Sequence, residues 1–217
     1  MPDLSFEIVS AGPARDMITP AIVFELRVFN RPPEESIHAI LLRCQIQIEA
    51  ARRKYNPSEQ VQIEELFDKP ARWSDTLRPM TWANTSLNVP AFCGSTVCPL
   101  VVSCPLDFSI ATTKYFRGIE AGDVPLTFLF SGSIFYASEH GTLQVYPVSW
   151  SKEARFRLPI ETWKSLIEMH YPNAVSLSIR RDVFEELYRF KMNCGLASFD
   201  ETIERALALA ERSRSAQ

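Results

Sequence analysis

Three thiols fall within twelve residues, Cys93-x4-Cys98-x5-Cys104, and are the first candidates for chemistry, because clustered thiolates hold zinc or iron–sulfur groups. Structural zinc sites set paired thiols roughly two to four residues apart in a tight turn, and both spacings here are wider. Cys98 and Cys104 also fall at the two ends of one predicted strand, ~20 Å apart at ~3.3 Å per residue. The expectation is no metal and no other cofactor, with cysteine serving as a small buried apolar residue. Were a metal to bind, Cys93, Cys98 and Cys104 are the ligands to consider first. The histidines, His38, His140 and His170, are dispersed over a strand, a turn and a helix face. No G-x-S-x-G elbow, H-E-x-x-H helix or glycine-rich phosphate loop occurs. No catalytic residue is nominated, and the chain is expected not to be an enzyme.

A second constellation lies in the tail. Val175–Ile179, followed by D-V-F-E-E-L-Y-R-F-K, a turn at N-C-G-L-A and S-F-D-E-T-I-E-R-A-L, has the outline of a ribbon-helix-helix unit. In such units a strand enters the major groove, which would turn Ser176, Ser178 and Arg180 toward bases. Charge opposes this, since residues 174–217 carry seven Lys/Arg and seven Asp/Glu, where phosphate binding needs an excess of cations. Nucleic acid is therefore the secondary expectation. The basic run Arg52-Arg53-Lys54, followed by Tyr55, reads as a solvated strand end, with a contact to an acidic partner or a phosphate as the alternative. Trp73, Trp82, Trp150 and Trp163 are scattered and read as core or edge cover.

The composition is that of a folded globular chain: 217 residues, 46% hydrophobic and 23% charged. A net charge of −3 supplies no field that would gather nucleic acid or anionic lipid. No stretch approaches the ~20 apolar residues that cross a bilayer, and the start carries no signal-peptide pattern, so the expected location is the cytoplasm, with no membrane partner. Five scattered cysteines fit reduced thiols better than a disulfide framework.

These residues must be positioned by two kinds of element. Up to about residue 155 the pattern alternates with period two. Ile22–Phe29 and Ser36–Ala50 each have one dry face and are expected to pair as a hairpin. Further strands are expected over Met80–Val89, Val97–Cys104, Val124–Phe135, Leu143–Tyr146 and Arg155–Leu158. Asn56-Pro57-Ser58-Glu59 is a capping box that predicts an inserted helix over 57–67, and a short helix is expected over 111–119. From Pro159 the period becomes about 3.6. Capping boxes at Asp182 and Ser198, with Gly195 between, predict two helices, and a short strand is expected near 174–179. The predicted fold is α+β: a mostly antiparallel sheet or sandwich over 1–155, its core drawn from residues such as Leu26, Ile46, Phe128 and Phe130, with a helical segment over 156–217.

Five segments carry a resemblance: P-D-L-S-F-E at the start, L-R-C-Q-I-Q-I-E at 42–49, P-A-R-W-S-D-T-L-R-P at 70–79, D-V-P-L-T-F-L-F-S-G-S-I-F-Y at 123–136 and L-Y-R-F-K at 187–191. Together they resemble a bacterial family of unknown function encoded beside structural and maturation genes of high-affinity nickel–iron (NiFe) hydrogenases. The resemblance spans nearly the whole chain and implies a non-enzymatic accessory or assembly role, with a hydrogenase subunit or maturation factor as partner. It assigns no site residue. A homo-oligomer is compatible with it, and a DNA-binding regulator acting through the tail is the alternative.

Overall fold

The computed structural model describes residues 2–107, 110–137, 141–175 and 177–215. Two sequence expectations, the turn at His140 and a base-facing role for Ser176, fall outside these residues. The chain forms two compact units, Met1–Ser176 and Leu177–Gln217.

The first unit is a two-layer antiparallel sandwich. One sheet has the order β1 (Asp3–Pro13), β2 (Ala21–Arg31) and β5 (Ser95–Ser103). The other runs β4 (Met80–Val89), β3 (Ile37–Ile48), β6 (Asp123–Ala137) and β7 (Leu143–Pro147), with β8 (Glu153–Pro159) sharing the β7 side of β6. β1, β2, β3 and β5 turn their apolar alternation inward, as the period-two pattern requires. Phe24 meets Phe128 edge-on at 5.1 Å between ring centroids, and Phe6 stacks on Phe130 at 4.2 Å. Leu26, Ile46, Phe128 and Phe130 are all buried, so the expected core residues are the core.

Short helices close one end of the sandwich. They are α1 (Pro57–Gln62), α2 (Glu64–Phe67), α3 (Trp73–Thr76) and α4 (Ala111–Gly118). α5 (Ile160–His170) follows β8 and lies against β1 and β2, burying Ile160, Trp163 and Leu166. The predicted helix over 57–67 is therefore two, broken where Ile63 leaves helical geometry.

Three expectations are corrected. β2 and β3 do not form a hairpin: β2 pairs with β1 and β5, and β3 with β4 and β6. Asn30, 2% exposed, donates its side-chain amide to the carbonyls of Pro32 and Glu35 and so secures the turn that carries the chain into the other layer. Two strands with one dry face each can cover one another only from opposite layers. The boundary between units falls after residue 176 instead of 155, because β8 pairs with β6 and α5 packs on the sandwich. The strand near 174–179 is absent: residues 174, 175 and 177–180 are in no strand, and an extended segment without a neighbour has no ladder to join.

The second unit is a helical hairpin, α6 (Arg181–Cys194) and α7 (Phe199–Ser215). Gly195 ends α6 in the left-handed conformation at φ 63°, as its place after the periodic run predicts. Ser198 Oγ accepts from the Glu201 backbone N–H and Glu201 reaches back to the Ala197 N–H, a capping arrangement for α7. The expected capping box at Asp182 does not form. Arg180 stands at the cap, and Asp182 instead pairs with its guanidinium at 3.0 Å.

A buried ionic centre and two candidate binding surfaces

The strongest polar constellation in the first unit grows out of the basic run. Arg53, expected in solvent, has 8% of its side chain exposed and meets Glu59, 3% exposed, at 2.6 Å. The Asn56 cap explains why. Its side chain accepts from the Glu59 N–H at 2.8 Å, and Glu59 Oε2 accepts from the Asn56 N–H at 3.1 Å, which turns the carboxylate inward at the start of α1. Its other oxygen takes Arg53 and the Glu120 N–H, at 2.6 and 2.9 Å. Arg53 also donates to the carbonyls of Asp123 and Ala121, at 2.7 and 2.6 Å. Gly122 sits between those carbonyls at φ +81°, and a Cβ there would lie 3.4 Å from Arg53 Nη1, so the turn needs glycine.

Tyr55 packs beside this centre. Its hydroxyl bonds the Ala50 carbonyl at 2.7 Å and the Tyr115 hydroxyl at 2.8 Å, and burial pushes both phenols above their usual range. Trp73 lies edge-on to Tyr55, while Trp82 and Trp163 pack against Phe116. Tryptophans scattered in sequence thus form one aromatic wall, whereas Trp150 is 91% exposed. Both carboxylate oxygens of Glu59 and both Nη atoms of Arg53 are engaged, while Arg53 Nε is buried without a hydrogen-bond partner. Each carboxylate oxygen of Glu59 holds a donor, so the group ties α1, the segment after α4 and the start of β6 together. Only the spacing of the Asn56 capping box hinted at it in the sequence.

The cysteines are not brought together into a ligand set. Cys93 and Cys194 are exposed, while Cys44, Cys98 and Cys104 are buried. Cys98 and Cys104 share the inward row of β5 and its extension with Leu100 and Val102. Burial pushes the Cys44 and Cys104 thiols up to about 12, which keeps them protonated and poor as ligands or nucleophiles. Among the described residues no group of three or more His, Cys, Asp or Glu is placed to hold a metal ion. His38 is exposed on β3, and His170 lies at the end of α5. Ser178 and Arg180 are exposed, the latter engaged with Asp182. No helix among the described residues is long and apolar enough to cross a membrane.

Two surfaces remain available for binding. The first is β7, which ends its sheet: every residue from Leu143 to Pro147 is exposed, with Leu143 and Val145 each at 59%. Beside it the outer face of the same sheet holds a cleft of about 540 Å³, lined by Arg43, Gln45, Asn84, Ser86, Ser131 and Trp150. The second is the apolar face of the helical hairpin, where Phe184, Tyr188 and Phe199 gather within 6.5 Å of one another.

No curated protein matches the sequence at a significant level. Among solved structures, the chain is similar to β-glucosidase 3B from Thermotoga neapolitana in complex with α-D-glucose. The identity is 14%, over 72% of this chain and 17% of that one, with a TM-score of 0.26, which carries no argument about fold or activity. A family model does match, over residues 1–215, and its description is a family of unknown function. The chain belongs to that family, DUF6084.

Proposed function

We propose that this protein works by protein–protein contact as an accessory or assembly factor of a NiFe-hydrogenase, and not as an enzyme. The partner class rests on the sequence resemblance; the mode of action is supported by β7. A terminal strand with an unpaired edge and exposed leucine, valine and tyrosine side chains is a template for a strand supplied by another chain. Folded proteins usually blunt such edges with lysine, a bulge or a covering element. Among the described residues, β7 carries Pro147 at its end and is five residues long.

The test is affinity capture of the tagged full-length chain from hydrogen-oxidising cells. Hydrogenase subunits or maturation factors should be recovered, and Val145→Asp should abolish recovery while the melting temperature of the purified protein stays unchanged. The reading fails if no hydrogenase component is recovered and deletion of the gene leaves hydrogenase assembly and activity intact. Promoter DNA bound with a steep salt dependence and a requirement for Arg180 would establish the regulatory alternative in its place.

A further inference from the structure

The outer face of the five-stranded sheet carries a second polar arrangement, and unlike those of the Arg53 centre its groups are uncommitted. Cys44, Ile46 and Phe130 are buried between the layers, so the residues alternating with them point outward. Register sets these in two rows. Arg43 stands between Ser86 of β4 and Ser131 of β6, and Gln45 between Asn84 of β4 and half-buried Leu129 of β6. Among the described residues, the side chains of Arg43, Asn84, Ser86 and Ser131 have no hydrogen-bond or ion-pair partner. Gln45 Oε1 accepts from Gln47 Nε2 at 3.2 Å, which leaves both N–H groups of the Gln45 amide to give.

Trp150 borders this face. The connection from β7 to β8 is fixed to β6 at both ends: the Val148 N–H donates to the Gly132 carbonyl at 2.9 Å, and the Phe130 N–H to the Lys152 carbonyl at 3.0 Å. Between these anchors Trp150 lines the cleft of about 540 Å³ together with Arg43, Gln45, Asn84 and Ser131. That volume lies within the ~300–1,000 Å³ of small-molecule sites. The Trp150 side chain is 91% exposed, whereas Trp73, Trp82 and Trp163 pack among other aromatic rings. An indole left in water forgoes transfer energy that a ligand stacked on it would recover.

We infer that this cleft is a saccharide-binding site, with a pyranose ring stacked on Trp150 and its hydroxyls held by Arg43, Gln45, Asn84 and Ser131. A sugar ring has an apolar C–H face and a rim of hydroxyls, each both donor and acceptor. The cleft matches the two parts separately. Trp150 supplies a plane for the face, and the amide and hydroxyl side chains give and take hydrogen bonds as the rim does. The unpaired guanidinium of Arg43 holds two carboxylate oxygens at once, so an acidic sugar is favoured over a neutral one. A nucleic-acid strand also stacks on tryptophan, but it needs a groove of cations along its backbone, and Arg43 is the one cation among the lining residues. A protein partner is disfavoured because protein interfaces are depleted in serine, and this lining is rich in hydroxyls and amides.

The saccharide site is independent of the β7 reading and is tested separately, by titrating oligomers of galacturonate and of glucose into the full-length protein. Calorimetry should give a dissociation constant of ~1 mM or tighter for the galacturonate oligomer and several-fold weaker binding for the glucose oligomer. Tryptophan emission should shift to the blue as the Trp150 ring leaves water. Trp150→Ala should weaken both oligomers by roughly tenfold or more with an unchanged melting temperature, because the exposed ring supports little of its own fold. Arg43→Gln should remove the preference for galacturonate and leave the glucose oligomer's affinity as it was. No binding of either oligomer at several millimolar overturns the inference, as does binding that Trp150→Ala leaves intact. An oligothymidylate that binds through Trp150 where neither sugar does would overturn it in favour of base stacking. Failure to capture a hydrogenase component would sink the accessory reading alone, and failure to bind sugar would sink this one alone.

Discussion

Arg53 and Glu59 stand six residues apart and join side chains at 2.6 Å in a nearly closed site, with 8% and 3% of their surfaces exposed. Removing the cation would strand a carboxylate whose other donors are backbone N–H groups. Arg53→Met should therefore cost about 3–5 kcal/mol, measured by urea unfolding. The double variant Arg53→Met, Glu59→Leu should recover most of that loss, since the isolated buried charge is then gone. Equal stability of the single variant and the wild type would show that the pair is solvated in solution.

Phe128 is fully buried and touches Phe24 across the two layers. Phe128→Ala should cost roughly 3–5 kcal/mol through lost transfer energy and the cavity left behind. A retained melting temperature would show that the layers are not packed face to face there.

Gly132 pairs with Leu42 on the adjoining strand at φ +148°, and a Cβ there would fall 2.1 Å from the Leu41 carbonyl oxygen. Backbone cannot swing away as a side-chain tip can, so Gly132→Ala must open the β3–β6 ladder locally. A loss of about 3 kcal/mol or more is expected in chemical denaturation. Hydrogen exchange should rise first at the amides flanking Leu42.

The thiols yield a count and a pH dependence. With an aromatic disulfide reagent, Cys93 and Cys194 should react in the native protein, and Cys44, Cys98 and Cys104 only after unfolding. Folded Cys44 and Cys104 hold their protons up to about 12, against a usual 9.0, so the unfolded chain gives up protons first as pH rises. Their contribution to stability is whole below pH 9.0 and falls as pH climbs toward about 12. Tyr55 and Tyr115, also raised, add the same sign above their usual 10.0. Replacing Cys44 by alanine should flatten the alkaline limb of a stability profile, and an unchanged limb would count against its burial.

Much of the architecture is legible in the residues themselves. Alternation over Ile22–Phe29 and 37–48 determines strands with one dry face, Asn56-Pro57-Ser58-Glu59 a helix start, and Gly195 a helix end, because these signals depend on neighbours a few residues away. What tertiary structure alone decided is which faces meet. Strand pattern says that β2 and β3 each need cover but not that they lie in opposite layers, since a hairpin and a sandwich bury the same alternation. Arg53 looks like a solvated cation in sequence. It is buried because a carboxylate oriented by its own helix cap and two carbonyls flanking Gly122 arrive from chain segments about seventy residues apart, and no local pattern encodes that convergence. Leu177 and Ile179 show the converse: their alternation writes a strand, but a strand exists only when a neighbouring backbone completes its hydrogen bonds, and the described residues supply none.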